Sequence, residues 1–250
     1  MSDDTAARIS GIGIGPGDPE LVTLKAFRLM KEADLIFTPK ARIKGESLAR
    51  NIVERAGIKG GIFIELEFPM ITDQTALEQK WLAAAAAVIE KISEIASNSA
   101  KAVFITLGDP GIYSTWTYLQ NALAEIAPEI NTETVPGIST MNAAAAALNS
   151  PLITGRERLA LIPLPKELDE LDTLTAIFDT IVVYKISSRL ADFGSKIEQL
   201  GLSGTTSLVR RAGLPDEEIF SRLSEVKPET DGYLSTAVIH CKTTQKDHEK

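Results

Sequence analysis

Three short stretches join a run of apolar residues to a turn that contains glycine, and their composition suits the binding of a small molecule. They are residues 11–18 (GIGIGPGD), 108–115 (GDPGIYST) and 136–140 (PGIST). Glycine permits backbone torsions, and close approach by a ligand or another segment, that a side chain would block. Turns at the carboxyl ends of strands are where α/β proteins usually bind ligands. The alternative is that each turn only connects a strand to a helix.

The first turn does not match two familiar nucleotide-binding motifs. The motif G-x-G-x-x-G would end at Pro16 if counted from Gly11, and at Asp18 if counted from Gly13. No lysine follows that would make the turn a P-loop. The spacing therefore indicates a different ligand.

The chain has few side chains suited to metal binding or nucleophilic catalysis. Its single cysteine, Cys241, excludes an internal disulfide and a cysteine-based metal cluster, and it fits a reducing cytoplasm. The two histidines are His240 and His248. A zinc site or a Ser-His-Asp triad is therefore not expected, and we predict no bound metal.

Charge and length limit the class of protein further. A formal net charge of −8 argues against a nucleic-acid or anionic-membrane partner, because both require a concentrated basic surface. The amino terminus lacks the pattern of a signal peptide, and no apolar run approaches membrane-spanning length. We expect a soluble cytoplasmic protein whose 250 residues form one large or two modest domains.

Hydrophobic periodicity predicts an amino-terminal α/β region. Its predicted strands are residues 9–15, 35–37, 62–66, 102–107 and 132–135, and its later helices are 47–55, 73–96, 115–126 and 140–148. A first helix is predicted to begin at Asp18, with Leu21, Leu24, Phe27 and Met30 on one apolar face. If the strands are parallel, the three glycine turns lie at one sheet edge, and Lys40 and Arg42 lie beyond a strand at the same edge.

The second half has shorter strands and fewer junctions between glycine turns and helices. Strands are predicted at 180–185, 206–209 and 233–239, and a helix at 190–200 that Gly201 ends. These features favour a smaller domain with a mixed sheet. We predict an α/β protein of two domains, residues 1–128 with a mainly parallel sheet and residues 129–250 with a mixed sheet.

Taken together, GIGIGPGDPELVTLKA, TLGDPGIYST and VPGIST before an alanine-rich helix closely resemble the tetrapyrrole methyltransferase family of cobalamin and sirohaem biosynthesis. The resemblance covers nearly the whole chain. It is greatest to members that methylate C20 of precorrin-2 or of its cobalt form, cobalt-factor II. The segments that carry this finer resemblance are TLGDPGIYSTWTYL, VPGISTMNAAAAAL, PLITGRERLALIP and the FPM at 68–70.

The resemblance implies a homodimer whose chains each bind S-adenosylmethionine (SAM) in the cleft between two α/β domains. Motif positions would place these residues around SAM: Pro16, Gly108, Asp109, Ile112, Tyr113, Ser139, Thr140, Tyr184, Lys185, Ala212 and Ala237. Lys185 stands where methionine is common in relatives. If the backbone makes that contact, the difference matters little.

The expected reaction needs few protein groups. SAM carries an activated methyl group, so the protein supplies orientation, and C20 of a reduced tetrapyrrole is electron-rich. The C20 proton needs an acceptor, for which Tyr113, Asp109 and water are open alternatives. The substrate carboxylates could pair with Lys40, Arg42, Arg156 and Arg158, although each of these could equally be a solvated surface residue.

Other functions fit the same residues. The chain could methylate another tetrapyrrole carbon, such as one in uroporphyrinogen III, or it could be a SAM-binding regulator without catalysis. A dinucleotide-dependent dehydrogenase is the alternative at the level of the fold. The sequence does not distinguish a metal-free from a cobalt-containing substrate.

Overall fold

The computed structural model describes residues 7–40, 47–69, 71, 73–95 and 100–242. The chain divides into two compact units between Ser139 and Thr140. Each unit contains one five-stranded sheet flanked by helices. The predicted class, two α/β domains with a parallel first sheet and a mixed second sheet, is confirmed.

In the first unit all strand pairs are parallel, in the order β3-β2-β4-β1-β5. Its strands are β1 (Arg8–Gly13), β2 (Leu35–Pro39), β3 (Ile62–Leu66), β4 (Lys101–Thr106) and β5 (Asn131–Val135). Its α-helices are α1 (Leu24–Lys31), α2 (Leu48–Arg55), α3 (Gln74–Ser93) and α4 (Thr115–Ile126). Because β5 pairs with β1, the division between units falls later than the predicted boundary after residue 128.

Two helices cover one face of this sheet. Apolar residues of α3 and α4 pack with those of the strands, including the fully buried Phe104 and Trp116. The start of the first helix differs from the prediction. Pro19–Leu21 forms a single 3-10 turn, and α1 begins only at Leu24, where the Thr23 hydroxyl accepts a hydrogen bond from the Ala26 amide. Leu24 is 89% exposed, so the prediction that it lies on the apolar face of the helix was wrong.

The second unit has the strand order β6-β7-β10-β8-β9. Strands β6 and β7 are parallel, and the remaining neighbours are antiparallel. The strands are β6 (Leu159–Pro163), β7 (Thr180–Tyr184), β8 (Thr206–Arg210), β9 (Glu218–Phe220) and β10 (Ser235–His240). The helices are α5 (Thr140–Ala147), α6 (Glu170–Ile177) and α7 (Leu190–Gln199).

Each face of the second sheet has its own apolar cluster. One contains Phe193 of α7 and Leu171 of α6 with inward residues of the strands. The other is smaller, and in it Ala143 and Ala144 of α5 pack on Val209 and Ala212. Small residues on both sides let the helix lie close to the strand that ends in Arg210.

Candidate functional site

The three predicted glycine turns meet at the carboxyl edge of the first sheet. Strands β4, β1 and β5 are parallel neighbours, so the turns that follow them are adjacent. The Gly108 amide donates to the Gly15 carbonyl at 2.8 Å, and the Gly15 amide donates back at 3.4 Å. A Cβ atom on Gly13 would lie 2.5 Å from the Gly108 carbonyl oxygen, and one on Gly137 would lie 2.3 Å from it. Backbone therefore packs on backbone here, which only glycine allows.

Asp109 joins two of these turns. Its Oδ1 accepts from the Gly111 amide at 2.8 Å, and its Oδ2 accepts from the Gly137 amide at 2.9 Å. A carboxylate that accepts two backbone hydrogen bonds stabilises the segments it joins. In the structure, Asp109 therefore braces both its own turn and a turn 28 positions away.

Other predicted residues of the first unit lie on these same turns. Pro16 and Ser139 are buried, Ile112 is half-buried, and Tyr113 is 47% exposed. Tyr113 has φ of 49°, a left-handed conformation that is uncommon outside glycine. The following residue, Ser114, begins α4: its hydroxyl accepts from the Trp116 amide at 3.1 Å and donates to Thr106 at 3.0 Å.

In the second unit the predicted residues gather at one edge of the sheet. Strands β7 and β8 both end at this edge and the antiparallel β10 begins there. The Tyr184 hydroxyl accepts from the Met141 amide in the first turn of α5 at 2.6 Å. Ala212 packs on α5, and Ala237 of β10 pairs with Val183. The fold therefore groups Thr140, Tyr184, Lys185, Ala212 and Ala237.

Backbone strain is concentrated at this second edge. Four non-glycine residues there have positive φ: Lys185 (57°), Ser187 (47°), Arg211 (52°) and Leu234 (54°). Such conformations are costly and persist where the surrounding structure holds them, which makes them common at ligand-binding sites. Sequence reasoning missed Ser187, Arg211 and Leu234, because a left-handed non-glycine residue has no signature in residue type.

The predicted substrate-binding cations are dispersed. Lys40 lies just beyond β2, at the same edge as the glycine turns, with its Nζ 3.8 Å from Glu67. Arg42 lies outside the described residues. Arg158 precedes β6 beside Asp179, and its amide donates to that carboxylate at 2.8 Å. The Lys242 ammonium and this amide lower the pKa of Asp179.

Arg158 and the exposed Arg156 are not brought to the Tyr184 edge. Because β6 and β7 are parallel and in register from Leu159 and Thr180, Arg158 lies at the amino end of β7. Tyr184 is at the carboxyl end, about 13 Å away along the strand. Within the second unit, these arginines and the predicted cofactor residues therefore occupy opposite sheet edges.

Two properties of the described residues bear on membrane insertion and on metal binding. No described helix is long and apolar enough to cross a membrane. Nor do three or more His, Cys, Asp or Glu side chains of the described segments gather in a group that could hold a metal ion.

The arrangement of these turns can be compared with known proteins. Residues 8–227 match the family model described as Tetrapyrrole (Corrin/Porphyrin) Methylases. The chain belongs to this family. The resemblance identified from the three glycine turns is thereby confirmed, and the match extends from β1 through β9 of this tetrapyrrole methylase.

Two relatives match nearly their full length. A Methanocaldococcus jannaschii protein named "Probable cobalt-precorrin-2 C(20)-methyltransferase" is 35% identical, over 93% of this chain and 95% of its own. A Salmonella typhimurium protein named "Cobalt-precorrin-2 C(20)-methyltransferase" is 31% identical, over 93% and 96%.

A solved structure shares the fold. It is uroporphyrin-III C-methyltransferase from Thermus thermophilus complexed with S-adenosyl homocysteine, 22% identical with a TM-score of 0.64. The match covers 93% of this chain and 97% of that one.

Proposed function

We propose that this tetrapyrrole methylase transfers the methyl group of SAM to C20 of precorrin-2 or cobalt-factor II in cobalamin biosynthesis. The observation that carries the proposal is the identity of 35% and 31% to proteins named for C20 methylation, over more than nine tenths of each chain. Matches of this extent include both sheets and every glycine turn, so they compare whole enzymes rather than a shared motif.

Each sheet edge, taken by itself, contains turns with glycine or with positive-φ residues. When bound, SAM supplies a methyl group already activated on a sulfonium. In the first unit, Pro16, Gly108, Ile112, Tyr113 and Ser139 would contribute to its binding. In the second unit, Thr140, Tyr184, Lys185, Ala212 and Ala237 would do so. The left-handed turns at Tyr113 and Lys185 support this assignment, because strain of this kind is retained where binding requires it.

The two side chains considered as acceptors of the C20 proton differ in their contacts. Both oxygens of Asp109 accept backbone hydrogen bonds, and these bonds hold the turns together. We therefore assign Asp109 to positioning the turns, which leaves Tyr113 or water as the acceptor. Tyr113 lies at the same turn, and 47% of its surface is exposed.

Of the proposed substrate-binding cations, Lys40 has the best-supported place, since it shares an edge with the glycine turns. Its ion pair with Glu67 joins two exposed groups, and such pairs contribute little stability. Replacing the ion pair between Lys40 and Glu67 by one between Lys40 and a substrate carboxylate would therefore cost little free energy.

We also propose a homodimer in the cytoplasm. Light scattering that gave the mass of one chain would refute the dimer.

Methyl transfer can be tested by anaerobic incubation of the purified protein with methyl-labelled SAM and either precorrin-2 or cobalt-factor II. Carbon NMR and mass spectrometry should locate the label at C20, and the faster substrate identifies the physiological ring. Label in uroporphyrinogen III alone would support methylation of another carbon. Equilibrium binding of SAM with no transfer to any of the three rings would favour the regulator.

A conservative variant tests the proposed acceptor. Replacing Tyr113 by phenylalanine removes the hydroxyl and keeps the ring. If Tyr113 accepts the proton, kcat should fall about a hundredfold while the Kd for SAM changes little. An unchanged kcat would assign the proton to water.

A further inference from the structure

Arg210 ties together three segments at the strained edge of the second sheet. It ends β8, and its side chain is only 13% exposed. One terminal nitrogen, Nη1, pairs with Glu218 of β9, and the other, Nη2, lies 3.2 Å from Oδ2 of Asp231. Its Nε is buried without a hydrogen-bond partner among the described residues. The two carboxylates are therefore what hold this guanidinium.

Asp231 connects Arg210 to the segment that leads into β10. Its Oδ1 accepts from the Tyr233 amide at 2.7 Å, so the carboxylate connects Arg210 to residues 231–233. Between these two residues lies Gly232, whose carbonyl accepts from the Ser187 amide at 3.1 Å. A Cβ on Gly232 would lie 2.2 Å from the Ser187 carbonyl oxygen. The segment 231–233 therefore packs directly on the backbone of Ser187.

The turn at Lys185–Ser187 needs support of this kind. Both residues are left-handed, a conformation that the Cβ of an L-residue disfavours. Two strained positions separated by a single residue are stable only if neighbouring groups hold them. The Gly232 carbonyl is one such group, and Arg210 fixes its position through Asp231.

We propose that Arg210 is a positioning residue for SAM binding. Through Asp231 and Gly232 it holds the Lys185–Ser187 turn in the left-handed conformation in which that turn contacts the cofactor. This inference rests on the proposed function, because it takes Lys185 to be at the SAM site. Glu218 provides an internal comparison, since it pairs with the same guanidinium but lies on β9 and not on the segment that contains Gly232.

Two matched variants separate the positioning role from general stability. Asp231→Asn keeps an oxygen for the Tyr233 amide but removes the charge that faces Arg210. Glu218→Gln removes the charge of the other partner. Hydrogen exchange of the Ser187 amide reports the turn itself, and calorimetric titration with SAM reports binding. Thermal unfolding measures any shared loss of stability.

In Asp231→Asn, we expect Ser187 exchange to speed up and the Kd for SAM to rise, each roughly threefold to fivefold. In Glu218→Gln, both should stay near the wild-type values at a similar Tm. Equal rates of Ser187 amide exchange in the two variants would refute the support of the turn by Arg210 through Asp231. If the Ser187 amide exchanges faster in Asp231→Asn but the Kd for SAM is the same in wild type and in both variants, the positioning role is refuted. The proposed function would still stand. A wild-type protein that binds no SAM would overturn the proposed function and the cofactor role of Arg210 together.

Discussion

Replacing Gly137 by alanine should separate the three glycine turns of the first unit. The new Cβ would lie 2.3 Å from the Gly108 carbonyl oxygen and 2.8 Å from the Gly13 backbone. Both obstacles are backbone atoms, so no change of side-chain rotamer relieves the overlap. The turn after β5 must move away, and the hydrogen bond from the Gly137 amide to Asp109 is then stretched or broken.

The size of the effect follows from these contacts. Forcing an extra carbon into a close-packed site costs about 1–3 kcal/mol. The lost hydrogen bond to a carboxylate adds about 1 kcal/mol, since Gly137 is only half-buried and water partly replaces it. Alanine recovers about 0.5 kcal/mol by restricting the unfolded chain. The net loss of unfolding free energy should be about 2–3 kcal/mol.

Urea denaturation followed by tryptophan fluorescence measures this loss in the correct unit. The chain has two tryptophans, Trp81 and Trp116, and both lie in the first unit. Gly60→Ala is the matched control, because a Cβ there meets nothing within 4 Å and its φ is not positive. We expect the control to keep the wild-type urea midpoint and SAM affinity. Gly137→Ala should have a lower urea midpoint and bind SAM more weakly.

An unchanged urea midpoint in Gly137→Ala, equal to that of Gly60→Ala, would show that the turns are not packed as described. Wild-type stability with lost SAM binding would be a different result. It would mean that Gly137 is needed for contact with the ligand and not for packing of the turns.

Three further predictions concern single side chains. The asparagine of Asp109→Asn can accept only one of the two backbone hydrogen bonds, so the free energy of unfolding should fall by about 1–2 kcal/mol. A kcat at saturating SAM within about tenfold of wild type would support bracing. A loss of kcat near a hundredfold would support catalysis. Thr206→Val removes a fully buried hydroxyl that lacks a hydrogen-bond partner among the described residues, so thermal unfolding should show a gain of about 1 kcal/mol, and a loss would contradict the reasoning. The hydrogen bond from Lys25 lowers the pKa of Glu133. Its stabilisation should be fully present above the ordinary glutamate pKa of about 4.3 and be lost as the pH falls through the lowered value. The difference between the urea midpoints of wild type and Glu133→Gln should therefore stay constant from pH 7 down to about pH 4.3 and shrink as the pH falls further. A difference that did not shrink below this pH would contradict the reasoning.

Several elements could be predicted because their signals are local. Runs such as residues 102–105 are apolar throughout, as expected of strands buried on both faces of a parallel sheet. The hydroxyl of Ser114 and the side chain of Asp73 cap α4 and α3 close to the predicted starts. Strand β6 is not predicted, because its apolar run is short and prolines follow it closely. Helix α6 and the three-residue β9 were missed as well, since their patterns are short and weak.

By itself, the sequence determined the two α/β domains, the family and the turns that carry the candidate site, because glycines and apolar runs act over a few residues. Only the tertiary structure decided what those turns do to one another. Asp109 finds its second partner at Gly137 because β4 and β5 both flank β1. Lys185 and Ser187 adopt a left-handed backbone that their residue types disfavour, and the Gly232 carbonyl that supports Ser187 comes from a distant segment. Contacts between residues far apart in the chain depend on strand order and register, and residue type at a single position does not encode them.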